Sequence, residues 1–185
     1  MRKKEGYLLK KVLAIILVAF LVNGCVSLRH FKRSTFEINE GYLSIKNINE
    51  NLEKQMPVIE KIGKNEVKIV SVTLFAAKNP HRLVAEVEFI FTSYEIPEGL
   101  PAIARFNTSI SYDKATHEFR LSQIRLMQIR YLKEELLEYL LPQQRKFIPE
   151  TLKAKLQELI LYKSKRELRS IKRIDVKEGQ IKVTF

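Results

Sequence analysis

The sequence predicts an α+β domain in which an antiparallel sheet precedes a helical region. Between Glu66 and Leu126, apolar residues recur at every second position in four successive segments, which is the pattern of half-buried strands. Turn-forming residues such as Asn, Pro, Asp and Gly separate these segments, which favours an antiparallel meander. From Leu132 to Ile160 the apolar residues instead recur every three or four positions, which predicts a helix.

The residues ahead of the sheet divide into a tether, a strand and a helix. Residues 26–35 are polar and basic without periodicity, so they predict a tether, and Phe36–Ile38 is a short candidate strand. Asn39 is a candidate N-cap because apolar residues follow it near helical spacing. These apolar residues are Tyr42, Leu43, Ile45, Ile48 and Leu52.

Within the sheet, the clearest strand carries an aromatic-rich apolar face made of Leu83, Ala85, Val87, Phe89 and Phe91. The next apolar face runs from Ala104 to Tyr112, and the short loop 113–116 connects it to a returning strand. The parity of the apolar positions in that strand shifts between Leu121 and Ile124, which predicts a β-bulge.

Two prolines interrupt the helical region, and a hairpin follows it. Pro142 and Pro149 are expected to start, break or kink the helix, because proline lacks an N–H donor and clashes with the preceding turn. Near the end of the chain, Ile174 and Val176 alternate on one predicted strand, and residues 181–185 alternate on another. The turn between them is expected at Glu178–Gly179.

The first residues have the three parts of a secretory signal peptide. Met1–Lys4 is basic, Val12–Val22 is an uncharged apolar run, and the small residue Gly24 precedes Cys25. A helix that spans a bilayer needs about 20 apolar residues, so this run is too short to be a confident anchor. Residues 1–24 are therefore predicted to be a signal peptide.

The stretch Leu21–Cys25 resembles the lipobox of bacterial lipoproteins. The resemblance implies that the Cys25 thiol receives a diacylglyceryl group, that cleavage follows Gly24, and that the new amino end is acylated. The alternative is a free cysteine in an uncleaved N-terminal helix. Each buried methylene contributes about 0.8 kcal/mol, so two or three chains would hold the protein on a membrane. By resemblance to enterobacterial sorting, Val26 in place of Asp implies an outer-membrane location facing the periplasm.

Composition limits the partners of the chain. Cys25 is the only cysteine, so no internal disulfide can form, and the formal net charge is +12. An exported protein does not meet cytoplasmic nucleic acid, so a basic surface indicates anionic envelope partners. The basic segment Lys163–Arg173 is a candidate for docking on phosphate-bearing lipid head groups. Solvated lysines and a solvated linker are the alternatives.

No catalytic motif is found in the sequence. The three histidines, His30, His81 and His117, are far apart and lack metal-ligand spacing. No Gly-x-Ser-x-Gly elbow and no Gly-rich phosphate loop occurs. Glu86 and Glu88 share one strand face, but no nucleophile or base accompanies them. We therefore expect a non-enzyme that uses neither a cofactor nor a metal.

The order of elements, from lipobox through meander to terminal hairpin, resembles the YceB family of Gram-negative lipoproteins. The similar stretches are Phe36–Glu40, Tyr112–Lys114, the Leu-rich helix between Leu140 and Leu159, and Ile174–Ile181. This resemblance implies a curved antiparallel sheet wrapped around a long C-terminal helix, as in tubular lipid-binding proteins, and it supplies no catalytic residues.

Together these observations predict a signal peptide (residues 1–24), a lipidated tether (25–35) and a single domain (36–185). The expected function is that of a lipid-anchored envelope protein that binds a lipid or another elongated apolar ligand between sheet and helix. The candidate lining residues are Leu74, Phe89, Phe91, Phe106, Leu136, Leu140, Leu152 and Leu156. Two alternatives stay open: the same residues fill a dry core, or the domain is a non-catalytic module that binds or regulates an envelope protein.

Overall fold

The computed structural model describes residues 40–79, 81–165, 167–168, 171–177 and 179–185. The predicted signal peptide, Cys25, the tether, the strand Phe36–Ile38 and the N-cap Asn39 lie outside the described residues. All structural statements below concern the described part of the chain.

Nine strands and two α-helices form the described domain. In chain order they are β1 (Glu40–Ser44), α1 (Ile45–Glu53), β2 (Val58–Ile62), β3 (Asn65–Ala76), β4 (Leu83–Thr92), β5 (Leu100–Asp113), β6 (Glu118–Tyr131), α2 (Pro142–Glu158), β7 (Ile160–Lys163), β8 (Arg173–Lys177) and β9 (Gln180–Thr184). A short 3-10 helix, Glu134–Tyr139, lies between β6 and α2.

The strands form two antiparallel sheets. The larger sheet has the order β2-β3-β4-β5-β6-β7, and the smaller has the order β1-β9-β8. The meander predicted from residue 66 onward is confirmed as β3 to β6, and the terminal hairpin is confirmed as β8 and β9. β2 and β7 were not predicted, because β2 is short and the apolar residues at the start of β7 continue the helical spacing of α2.

One face of the larger sheet carries the core. Alternate residues of β4 and β5 are buried there, and the largest of them are Phe89, Phe91 and Phe106. Ile48 and Leu52 of α1, together with apolar residues of α2, belong to the same buried cluster, so both helices pack on this face. Among the described residues, no helix is long and apolar enough to cross a membrane.

The prediction of a sheet wrapped around a long C-terminal helix is wrong. The domain is mostly antiparallel sheet, and α2 spans only 17 residues. Proline disfavours the α conformation in the residue before it, and Leu141 accordingly has φ −65° and ψ 150°, so α2 starts at Pro142. The apolar periodicity before Leu141 belongs to the 3-10 helix instead.

The start of the domain also differs from the prediction. Tyr42 and Leu43 lie in β1 rather than in a helix, and Leu43 is opposite Ile181 of β9. The helix begins only at Ile45, whose N–H donates to the carbonyl oxygen of Gly179 at 2.9 Å. Pairing with a strand from the far end of the chain therefore overrides the local helical spacing.

The predicted bulge in β6 is confirmed. The register with β5 shifts between Asn107 and Ser109, opposite the segment from Ser122 to Arg125. Gln123 lies in this bulge with a φ of 49°, a left-handed conformation that is uncommon for residues other than glycine. A second register shift lies beside Arg105 and Phe106.

Candidate functional site

The residues predicted to line a ligand site lie in the apolar core. Leu74, Phe89, Phe91, Phe106, Leu140, Leu152 and Leu156 are buried in one cluster, and Leu136 packs against its edge from the 3-10 helix. Four clefts at the surface of the described domain are lined by other residues. Seven of the eight predicted lining residues are therefore buried, Leu136 is partly buried, and other side chains line the clefts at the surface.

Helix α1 caps an exposed edge of the larger sheet at β3. Strand β2 pairs with β3 only as far as Ile69, which leaves the edge of β3 beyond that point without a partner strand. The side chain of Asn49 covers part of this edge. Its Nδ2 donates to the carbonyl oxygen of Leu74 at 3.1 Å, and its Oδ1 accepts from the N–H of Leu74 at 2.9 Å. The amide thus acts as a neighbouring strand would.

The same helix caps the opposite edge of the sheet at β7. Gln55 Nε2 donates to the carbonyl oxygen of Ile160 at 2.8 Å, and Gln55 Oε1 accepts from the N–H of Ile160 at 3.1 Å. Asn51 Nδ2 donates to the carbonyl oxygens of Ile160 and Leu161 at 3.0 and 3.3 Å. The amides of α1 and of the turn after it therefore reach both edges of the sheet, which would otherwise expose unpaired backbone groups.

Beside α1 lies a cleft of about 620 Å³, here called the β1–β7 cleft. One wall is residues 42–44 of β1, which is the edge strand of the smaller sheet, and the other wall is β7, which is the edge strand of the larger sheet. Ile48 and the amide side chains of Asn47, Asn51 and Gln55 form the rest of the lining. The cleft therefore has two strand edges, apolar surface and amide groups within reach of one occupant.

Two tyrosines line this cleft. Tyr42 and Tyr162 are both exposed, and the ring of Tyr162 lies 6.1 Å from that of the buried Phe119. Among the described residues, the side chain of Asn47 makes no hydrogen bond, so its donor and acceptor are available to an occupant. Tyrosine side chains are enriched in surfaces that bind other proteins.

An ion-pair cluster fixes the outer end of β7. Glu118 lies 2.6 Å from Arg120 and 3.2 Å from Lys163, measured between carboxylate oxygens and side-chain nitrogens. The hydrogen bond from Arg120, followed by that from Lys163, lowers the pKa of Glu118 against the opposing effect of burial. The carboxylate is therefore ionised at neutral pH and holds Lys163 beside the cleft.

Only part of the predicted basic segment 163–173 lies within the described residues. Lys163 lies in β7, Lys172 and Arg173 lie at the start of β8, and several of the residues between them are outside the described ranges. Glu86 and Glu88 share the solvent-facing side of the larger sheet as predicted, and Glu86 forms an ion pair with Arg105 at 2.6 Å.

The amides of α1 were overlooked in the sequence. Asn47, Asn49 and Asn51 occupy every second position of a helix, although asparagine is a poor helix former. A helix with this composition depends on contacts with other elements for its stability. Its repeated amides could therefore have indicated hydrogen bonds to backbone groups of those elements. Their partners could not be predicted, since Leu74 and Ile160 are distant in the chain.

Comparison of the sequence with models of known protein families and with curated proteins found no match. The resemblance to the YceB family therefore stays a prediction, and the interpretation of the site depends on its own geometry.

Proposed function

We propose that the chain is a lipid-anchored lipoprotein of the cell envelope whose domain is a non-catalytic interaction module. In this proposal the β1–β7 cleft binds an extended segment of another envelope protein. The observation that carries the proposal is that the edge strands of two different sheets, β1 and β7, line the same cleft.

The anchorage is supported by the sequence before the domain. The basic start, the short apolar run and the Leu21–Cys25 stretch together support export and acylation at Cys25. Val26 supports an outer-membrane location facing the periplasm. An anchored domain meets its partners at a fixed membrane, so even a modest affinity for a neighbouring envelope protein gains from high effective concentration.

The chemistry of the β1–β7 cleft favours a polypeptide over a lipid chain. An extended peptide can add to a strand edge through backbone hydrogen bonds, while its side chains enter adjacent pockets. Asn51 and Gln55 already bond the N–H and carbonyl oxygen of Ile160 and the carbonyl oxygen of Leu161. An added strand would therefore begin at Tyr162 and Lys163. An acyl chain has no donors or acceptors to match the amides and backbone groups of this lining.

Site-specific photo-crosslinking in whole cells tests the proposal. A photoreactive phenylalanine replaces Tyr162 in the full chain, and the control carries it at Tyr139 in the 3-10 helix, since these tyrosines are 42% and 50% exposed. We expect one dominant higher-mass product from the Tyr162 position and none from the control. A second chain that combines the Tyr162 crosslinker with Asn47→Lys should lose the product, because the lysine occupies the cleft.

Three outcomes would contradict the peptide-binding role. Equal products from both positions would indicate random collision, and a crosslink confined to the chain itself would show that its own residues occupy the cleft. Stoichiometric lipid retained by the purified chain in native mass spectrometry, with no protein crosslink, would instead support the apolar-ligand alternative.

A further inference from the structure

A second cleft, of about 440 Å³, lies where β4 begins and is rich in basic side chains. His81 and Arg82 come from the start of β4, and Lys172 and Arg173 come from the start of β8. Ser109 of β5 and Gln123 of the β6 bulge add a hydroxyl and an amide. Four separate segments of the chain thus contribute hydrogen-bond donors to one concave surface, here called the Arg82 cleft.

The guanidinium of Arg82 is the unusual group in this cleft. Its Nη1 atom is buried and has no hydrogen-bond partner within the described residues. The backbone of Arg82 is fixed by a turn, because its N–H donates to Asn79 at 3.1 Å and its carbonyl oxygen accepts from Ala77 at 3.2 Å. A buried charged donor without an acceptor is costly and rare in folded proteins. Arg82 is one of the lining residues of the cleft, so a ligand bound there and reached by its guanidinium can supply the missing acceptor.

Asp175, an acidic residue of β8, is already engaged by two residues that line this cleft. Asp175 forms an ion pair with Arg173 at 2.8 Å, and its carboxylate lies 2.7 Å from Nδ1 of His81. Burial acts to raise the pKa of Asp175, but Arg173 and His81 outweigh it and the pKa is lowered. The carboxylate is therefore ionised and is shared by Arg173 and His81. No ion pair within the described residues involves Arg82 or Lys172, so two cationic side chains of the cleft have no acidic partner there.

The β6 bulge adds a polar side chain to the same cleft. Gln123 adopts a left-handed φ of 49°, and such strained residues and bulges are concentrated where a side chain is aimed at a functional site. Its Oε1 lies 3.5 Å from the hydroxyl of Ser109. With the carbonyl oxygen turned toward Ser109, the NH₂ group of Gln123 is left to donate to another acceptor.

We propose that the Arg82 cleft binds the phosphoryl group of an anionic ligand. A phosphate monoester carries about −1.5 to −2 charges at neutral pH, which matches the two unpartnered cations, and a guanidinium binds its oxygens in a two-pronged geometry. The volume of the cleft exceeds that of a phosphate ion, so the phosphoryl group belongs to a larger molecule. The site is separate from the β1–β7 cleft and does not depend on the proposed protein partner.

Calorimetric titration of the full chain in detergent tests this site. The probes are inorganic phosphate and glycerol 3-phosphate, with acetate at equal ionic strength as the carboxylate comparison. We expect saturable binding of both phosphates and much weaker binding of acetate. Arg82→Gln should weaken phosphate binding by about 10- to 100-fold, because it removes a charge-assisted donor. Arg82→Lys should retain part of the affinity, since it keeps the positive charge but loses the two-pronged hydrogen bonding of the guanidinium.

Arg130→Gln is the matched control, because Arg130 is exposed at the other end of β6 and has no ion-pair partner among the described residues. Absence of saturable binding, equal binding of acetate, or an equal loss in the control would each overturn the proposal. Thermal melting of each variant without phosphate shows whether Arg82→Gln is folded. If it is not folded, the phosphate affinity of Arg82→Lys is compared with that of the parent instead. Vesicles containing phosphatidic acid, whose head group is a phosphate monoester, would assign the phosphoryl group to a lipid head group if they compete with glycerol 3-phosphate. Competition by soluble esters alone would assign it to a soluble ligand.

Discussion

The hydrogen bonds between Asn49 and Leu74 make a prediction about the stability of the whole domain. Both bonds join one side-chain amide to one backbone residue, at 2.9 and 3.1 Å, and they cover the part of the β3 edge that β2 does not reach. Asn49→Ala removes both bonds and leaves the N–H and the carbonyl oxygen of Leu74 without these partners.

The expected loss in the free energy of unfolding follows from the two hydrogen bonds that are removed and from one opposing gain in helix propensity. Each hydrogen bond contributes about 0.5–1.5 kcal/mol net, and the part-buried backbone groups left unpaired raise the loss toward the upper end of that range. Alanine is the better helix former by about 0.5 kcal/mol, which partly offsets the loss. We therefore expect Asn49→Ala to lower the free energy of unfolding by about 1.5–2.5 kcal/mol, or Tm by roughly 3–10 °C for a domain of this size.

Urea denaturation of the full chain in detergent, followed by circular dichroism, measures this change. Asn47→Ala is the matched control, because it gives α1 the same gain in helix propensity and removes no hydrogen bond within the described residues. We expect the control to be as stable as the parent or slightly more stable. If the two variants differ by less than about 0.5 kcal/mol, water replaces the amide at Leu74 and the capping role of Asn49 is refuted.

Three further predictions concern the core, the ion-pair cluster and the anchor. Phe89→Ala should lower the free energy of unfolding by about 3–5 kcal/mol, because Phe89 is 1% exposed. Phe75→Ala should lower it far less, because Phe75 is 47% exposed on the other face of the sheet. Similar losses for the two variants in urea denaturation would show that the core is not centred on β4. The hydrogen bond from Arg120 lowers the pKa of Glu118 in the folded protein. The contribution of Glu118 to stability is therefore complete above its ordinary pKa of 4.5, and it is lost as the pH falls through the lower pKa of the folded state. Glu118→Gln should therefore flatten the acid side of the stability curve measured by denaturation, and an unchanged slope would contradict this. Cys25→Ser should abolish acylation and leave the chain uncleaved after Gly24. The mass of the purified protein should then equal that of the full chain with residues 1–24 and without acyl groups. Normal processing of this variant would rule out the lipobox interpretation.

The sheet strands were predictable where one face is buried. Alternation of apolar and polar residues is visible in β4 and β5 because water covers one face of the sheet and the core covers the other. The bulge near Gln123 was predictable for the same reason, since an extra residue shifts the parity of the apolar positions. Short strands at sheet edges, such as β2 and β7, contain too few residues for alternation to distinguish them.

The candidate sites were much less predictable than the strands. The β1–β7 cleft requires the edges of two sheets to face each other across α1, and its walls are separated by more than a hundred positions in the chain. The Arg82 cleft likewise joins the start of β4 to the start of β8. In the sequence Arg82 is one of 33 Lys and Arg residues, and only the buried, unpartnered Nη1 atom of its guanidinium distinguishes it.

The sequence by itself determined the pattern of the meander, the terminal hairpin and the lipobox-like stretch at Cys25, because each depends on neighbouring residues. The tertiary structure alone decided the separation into two sheets, the strand conformation of Tyr42 and Leu43, and the use of α1 to cap both edges of the larger sheet. It also placed the aromatic residues first expected to line a ligand site in the buried cluster. The physical reason is that these features depend on pairings between distant segments, whose hydrogen bonds and buried area override local spacing.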